Sequence, residues 1–190
     1  MRRPLNRTTL KAAAPFFFAL LPLAAVSTLS HELGHMAMAW LVGVRPILHY
    51  NYTTWTGNMS VIQRYWVTAA GPLTTWLISG VGLLLLYRRY TLTRLMAALF
   101  CLRMPVNAIL FLLGLARTGY RQDEVRIALR LGLPEGSLLY VSTLVAFSIL
   151  LLVLNRIPDE EFQPTIIGGT VGGLAGAALW YGLLGPWLLP

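Results

Sequence analysis

The sequence predicts an all-α, polytopic membrane protein with about five transmembrane helices, a short interfacial hairpin after the first and a short amphipathic helix after the third. Three observations carry this expectation. Of the 190 residues, 56% are hydrophobic and only 12% are charged, and the mean hydropathy is +0.64, far more apolar than a soluble domain of this size. Apolar runs long enough to cross a bilayer, roughly 20 residues each, recur along the whole chain. Many arginines sit at the ends of those runs, where the headgroup region favours them.

The first expected span covers 13–44. It begins with the uncharged run AAAPFFFALLPLAAVSTL, passes through Ser30-His31-Glu32-Leu33-Gly34-His35-Met36 and continues as MAMAWLVGV. Its basic start and apolar body are also those of a secretory leader. The apolar run resumes beyond HELGH, however, and the rest of the chain is equally hydrophobic, so the segment is expected to stay as a span. The next stretch, PILHYNYTTWTGNMSVIQRYW, alternates residue types and contains the turn signal TGN. It is read as a hairpin near residues 46–64, with Tyr50, Tyr52, Trp55 and Trp66 at headgroup level.

Further spans are expected at 66–87, 92–116, 137–154 and 165–189. Between the third and fourth, GYRQDEVRIALRLGLPEG reads as an amphipathic helix opened by acids, with Gln122, Arg126 and Arg130 on one face and Gly132-Leu133-Pro134 ending it. The last span carries Gly168, Gly172 and Gly176 four residues apart, a face that lets another helix approach closely. The whole of 1–190 is expected to form a single membrane domain.

Composition also narrows the function. The net charge of +8 lies at the ends of membrane runs, so the bilayer, and not nucleic acid, is the expected partner. Cys101 is the single cysteine and lies in an apolar run, which excludes a disulfide framework and a cysteine zinc site.

The chemistry concentrates in HELGH. On a helix His31 and His35 share a face, so both rings can bind one metal ion, with Glu32 beside them to take a proton from a water that the metal polarises. Zinc suits two imidazoles, a third ligand and an open position. In a soluble helix such a match carries little weight. Inside a span, unpaired Glu and His cost several kcal/mol, about 2.5 or more each on insertion scales, so their presence points to a site.

The third ligand has few candidates: His49, Asp123, Glu124, Glu135 and the acids Asp159 to Glu161. No acid lies between Glu32 and Asp123, so the thermolysin-like arrangement is excluded. Met38 and Leu41 stand where the longer H-E-x-x-H-x-x-G-x-x-H pattern needs Gly and His. Asp123 and Glu124 also suit a helix N-terminus without any metal. Asp159 follows Asn155 and Pro158, whereas His49, beside Tyr50, reads as interfacial. Arg103 and Asn107, four apart in the third span, are a second polar pair. They either face the site and bind a substrate carbonyl or its oxyanion, or make an interhelical contact.

HELGH at 31–35, AAGPLTTW at 69–76 and DEVRI at 123–127 together resemble the site-2 protease family of intramembrane metalloproteases. The resemblance covers roughly residues 15–133. It implies that 13–136 forms a metalloprotease-like core of three spans with two additional spans at 137–190, and that Asp123 is the third zinc ligand. Thr75 stands where the family usually has Asn, Glu124 where it has Gly, and LARTGYRQ lacks the usual Asn and Pro. Lys and Arg counts favour a cytoplasmic N-terminus by eight to six, whereas the family's site is generally near the cytosolic face and HELGH lies nearer the Arg45 end.

The expected function is therefore that of a zinc endopeptidase in a multi-pass protein of a bacterial or archaeal cytoplasmic membrane. It would cleave membrane-embedded or membrane-adjacent protein substrates with Glu32 as catalytic base, His31, His35 and Asp123 as ligands, and the hairpin pairing with an unwound substrate. The alternative is a non-catalytic membrane adaptor or chaperone that keeps the fold, for which a retained Glu32 has no use. A metal transporter ranks last, because the chain has three histidines and the last two spans carry no acid, base or histidine.

Overall fold

The computed structural model describes residues 7–84 and 122–189. Its elements in chain order are helices α1 (Arg7–Leu20) and α2 (Leu23–Leu41), strands β1 (Arg45–Leu48) and β2 (Thr53–Thr56), and helix α3 (Val61–Leu84). After the undescribed stretch come α4 (Asp123–Arg130), α5 (Ser137–Leu154) and α6 (Asp159–Leu179), a π-helical turn (Trp180–Leu184) and a last short helix α7 (Gly185–Leu188).

Three helical stretches are long and apolar enough to cross a membrane: Thr8–Leu41, Ser137–Leu154 and Asp159–Leu188. Their burial is inverted relative to a soluble protein. Phe18, Leu144 and Leu174 are each 68% exposed, whereas Ser27 and Thr28 are buried, as are Thr75 and Ser79 on α3. With lipid as the solvent, the side chains that need hydrogen-bond partners turn inward. This is a mostly helical membrane protein.

The expected first span is broken. Pro22 has no N–H to give to the carbonyl one turn back, so the helix stops at Leu20 and restarts at Leu23. The break lets the two halves face different partners. α1 lies along α6, where the glycine stripe meets it. A Cβ on Gly168 would strike the carbonyl of Ala13, one on Gly172 that of Phe17, and one on Gly176 that of Leu21. α2 packs instead against α3 and carries the polar motif.

The hairpin forms where expected, antiparallel with Arg45 opposite Thr56 and Leu48 opposite Thr53. Its turn is His49 to Tyr52, closed by the His49 N–H donating to the Tyr52 carbonyl at 2.9 Å. TGN instead ends β2, with Gly57 at φ +114°. Beneath the hairpin, Ala39, Val44, Met59 and Val67 form a small apolar core with Trp55 against it.

α3 starts five residues before the expected 66, because Ser60 and Gln63 form a reciprocal cap. The Ser60 N–H donates to Gln63 Oε1 at 2.8 Å and the Gln63 N–H to Ser60 Oγ at 3.3 Å. α4 is the expected amphipathic helix. Gly132, at φ +69°, closes it in a Schellman turn: the Leu133 N–H reaches the Ala128 carbonyl at 2.9 Å and the Gly132 N–H reaches Leu129 at 3.2 Å. α6 begins at Asp159, before the expected 165, since Pro158 fixes the entry and three acids occupy its positive end. The expected third span, 92–116, with Arg103 and Asn107, lies outside the described residues.

Candidate metal centre

The site is built where α2, α3, β2 and α4 meet. The inward face of α2 carries Ser27, Thr28, His31, Glu32 and His35, all buried. Two glycines allow α3 to press against this face. A Cβ on Gly34 would lie 2.7 Å from the Ala70 carbonyl, and one on Gly71 would lie 2.7 Å from His31 Nε2 and also strike His35 Nε2. HELGH and AAGP are thus one packed unit, because each supplies the glycine that lets the other approach.

Each imidazole is held from behind. His35 Nδ1 lies 2.7 Å from the Val67 carbonyl, which can only accept, so Nδ1 carries the proton. His31 Nδ1 lies 3.0 Å from Thr75 Oγ1, whose own hydrogen goes to the Gly71 carbonyl at 3.2 Å, so His31 donates as well. In both neutral rings Nε2 is then left with a lone pair. Both lone pairs aim at one atom: Asp123 Oδ2 is 3.1 Å from His31 Nε2 and 3.0 Å from His35 Nε2.

Two lone pairs and a carboxylate oxygen at such distances repel unless a positive charge joins them. Two protons on the rings would do so, and so would a metal ion. Backbone or side-chain oxygens fixing Nδ1–H while Nε2 faces inward is the arrangement by which proteins present histidine to metals. The donor set therefore fits a divalent ion. Burial opposes ionisation of the Asp123 carboxyl; with both rings protonated, their hydrogen bonds and charges override it and hold its pKa well below the usual carboxylate range.

Glu32 belongs to the same cluster. The ligand atoms of His31, Glu32 and His35 lie within 4.8 Å of one another, a group that could hold a metal ion. Two carboxylates thus compete for the third position. Asp123 suits it better, since its Oδ2 is within hydrogen-bonding distance of both ring nitrogens. Glu32 is oriented by β2, where the Thr53 hydroxyl lies 3.2 Å from both its Oε2 and its backbone carbonyl.

The other sequence candidates stand apart. His49 Nε2 pairs with Thr54 Oγ1 at 3.1 Å and its ring stacks on Tyr52. Asp159 lies in the first turn of α6. Glu124 is buried next to Asp123 but is not the residue bridging the imidazoles. Reading the sequence missed Thr53, the carbonyl of Val67 and the space that Gly71 leaves. Only Gly71 has a local signal, its place in AGP.

The same inward face of α2 is tied to the π-helical turn. Thr28 Oγ1 lies 2.6 Å from the Tyr181 hydroxyl, one turn before His31. Trp180 Nε1 donates to the Tyr50 carbonyl at 3.2 Å, and the Tyr50 N–H donates to the Leu189 carbonyl at 3.1 Å. Comparison with protein-family models, curated proteins and solved structures returned no match in any of the three.

Proposed function

We propose that the protein is a zinc endopeptidase of the intramembrane type, with His31, His35 and Asp123 as ligands and Glu32 as the catalytic base. The observation that carries this reading is the convergence of two Nε2 lone pairs on one Asp123 oxygen, with a second, separately held carboxylate beside them. A structural metal site has no need of that second carboxylate.

Zinc held by these three side chains would act as a Lewis acid that makes water acidic enough to attack an amide near neutral pH. The chain's own residues do the rest. Glu32 accepts the proton of the attacking water and passes it to the leaving amine. Thr53 holds the Glu32 carboxylate at the right angle for both transfers. The neighbouring hairpin, set by Tyr50 against the last helical turn, offers a strand edge that is unpaired among the described residues to a substrate segment unwound from its own helix. In this reading α3 and residues 92–116 add two spans to the three long apolar helices, giving a five-span, multi-pass protein of a bacterial or archaeal cytoplasmic membrane. Its resemblance to site-2 proteases through HELGH, AAGP and DEVRI supports the same assignment.

The test is to purify the protein and its Glu32→Gln and Asp123→Ala variants, and to measure bound zinc together with cleavage of a panel of single-span membrane substrates. Glu32→Gln should keep zinc and lose cleavage; Asp123→Ala should lose both. Zinc retained in full by Asp123→Ala removes that ligand. Cleavage undiminished in Glu32→Gln removes the protease, and a zinc-bound protein inert on every substrate favours the adaptor.

A further inference from the structure

Beside the metal centre, a cavity of about 330 Å³ opens between β2, α3 and α4, lined by Trp55, Arg64, Thr68, Arg126, Leu129 and Arg130. We propose that it binds the phosphate of an anionic phospholipid headgroup. Three guanidiniums share this cleft, and among the described residues no carboxylate pairs with any of them; the ion pairs found there are those of Asp123 with His31 and His35. Within the cleft Arg130 Nη1 donates to Thr68 Oγ1 at 3.3 Å, and the Thr68 hydroxyl donates to the Arg64 carbonyl at 2.8 Å. Burial and the charges of Arg64 and Arg126 pull the Arg130 pKa below its ordinary value. An assembly of three like charges is destabilising until an anion joins them.

Phosphate fits the geometry. Planar guanidiniums bind its oxygens in pairs, and three of them around one cleft provide more donors than a single carboxylate can accept. A lipid, and not a free anion, fits the rim. Leu129 lines the cleft itself and is 38% exposed, Leu131 and Leu133 beyond it are 54% and 40% exposed, and Trp66 on α3 is 48% exposed. An apolar and aromatic border around a basic pocket is the pattern of a headgroup site, with acyl chains lying on the border. The site does not depend on proteolysis. It is coupled to the metal centre by position, because Asp123, Arg126 and Arg130 are spaced three and four apart on one face of α4.

The test uses the full chain in detergent. Native mass spectrometry would titrate it with phosphatidylglycerol, phosphatidylcholine and, separately, inorganic phosphate. The variants are Arg64→Gln with Arg126→Gln, and a charge-matched control, Lys11→Gln with Arg156→Gln, on exposed residues that do not line the cleft. Phosphatidylglycerol affinity should fall about 25-fold in the first pair, from roughly fivefold per arginine, and stay level in the control. Equal losses in both pairs, or equal binding of the two lipids by the unaltered protein, overturn the proposal. Inorganic phosphate binding as tightly as phosphatidylglycerol overturns the lipid as its source. Independently of any variant, phosphatidylglycerol with a photoreactive headgroup should crosslink to residues 55–68 or 126–130, and crosslinks confined to α5 and α6 overturn the assignment.

Discussion

His31 donates through Nδ1 to the hydroxyl of Thr75 at 3.0 Å, and that hydroxyl has already committed its own proton to the Gly71 carbonyl. Thr75 is therefore an acceptor by construction, and it fixes the tautomer in which His31 Nε2 carries no proton. Valine at this position keeps the shape and removes the acceptor. Thr75→Val should weaken zinc binding about 10- to 100-fold, the usual effect of losing an outer partner of a metal-bound histidine. Thr75→Ser should restore it. Competition with a fluorescent zinc chelator measures both.

Gly71 makes the tightest demand. A methyl there would occupy the space against both Nε2 atoms. Gly71→Ala should bring zinc content close to zero and cost about 1–3 kcal/mol of stability through overpacking. Gly80, on the same helix with open space around its Cα, is the matched control. Gly80→Ala should leave zinc content, by elemental analysis of the purified protein, at the level of the parent.

The Thr53 hydroxyl bonds to Glu32, and among the described residues no hydrogen bond joins it to an imidazole. Thr53→Val should leave zinc bound and lower kcat about tenfold or more, since a hydrogen bond to a charged group contributes roughly 1.5–3 kcal/mol. A fall in zinc content parallel to the fall in kcat would show that the threonine supports the metal site as a whole and not the base.

Removing the metal should reveal how far it supports the fold. At a hundredfold excess over Kd, bound zinc contributes about 2.7 kcal/mol to the native state. A chelator should therefore lower the thermal midpoint of the parent protein while leaving Asp123→Ala, already without zinc, unmoved. An equal drop in both proteins would place the chelator's effect elsewhere.

The glycine stripe gives a prediction away from the site. Gly172→Ala places a methyl against the backbone of Phe17, whereas Gly173→Ala meets nothing within 4 Å. The first should destabilise by about 1–3 kcal/mol and the second by well under 1. Thermal melting in detergent compares them.

Much of this was legible in the residues. HELGH reads as a metal site because its polarity is out of place in a span, and the glycine stripe reads as a packing face because its period is helical. Asp123 was one candidate among several until the fold brought its oxygen to both rings. Other features depend on contacts between distant segments, and no local pattern encodes them: the Thr53 hydroxyl at Glu32, the Val67 carbonyl at His35 and the Tyr181 hydroxyl at Thr28. Two were readable but not read. Ser60 and Gln63 form a capping pair that dates the start of α3 to Val61, and Pro22 divides the first span. Arg103 and Asn107 lie outside the described residues.

The seam between α1 and α6 also dictates an order of manufacture. All four side chains of the metal centre are synthesised before residue 124, whereas the glycines that clasp α1 begin at 168. α1 must therefore wait in the bilayer, its inward face covered by lipid or by the insertion machinery, until α6 is delivered. The side chains of the candidate metal centre are made first, and the glycines that clasp α1 follow them off the ribosome.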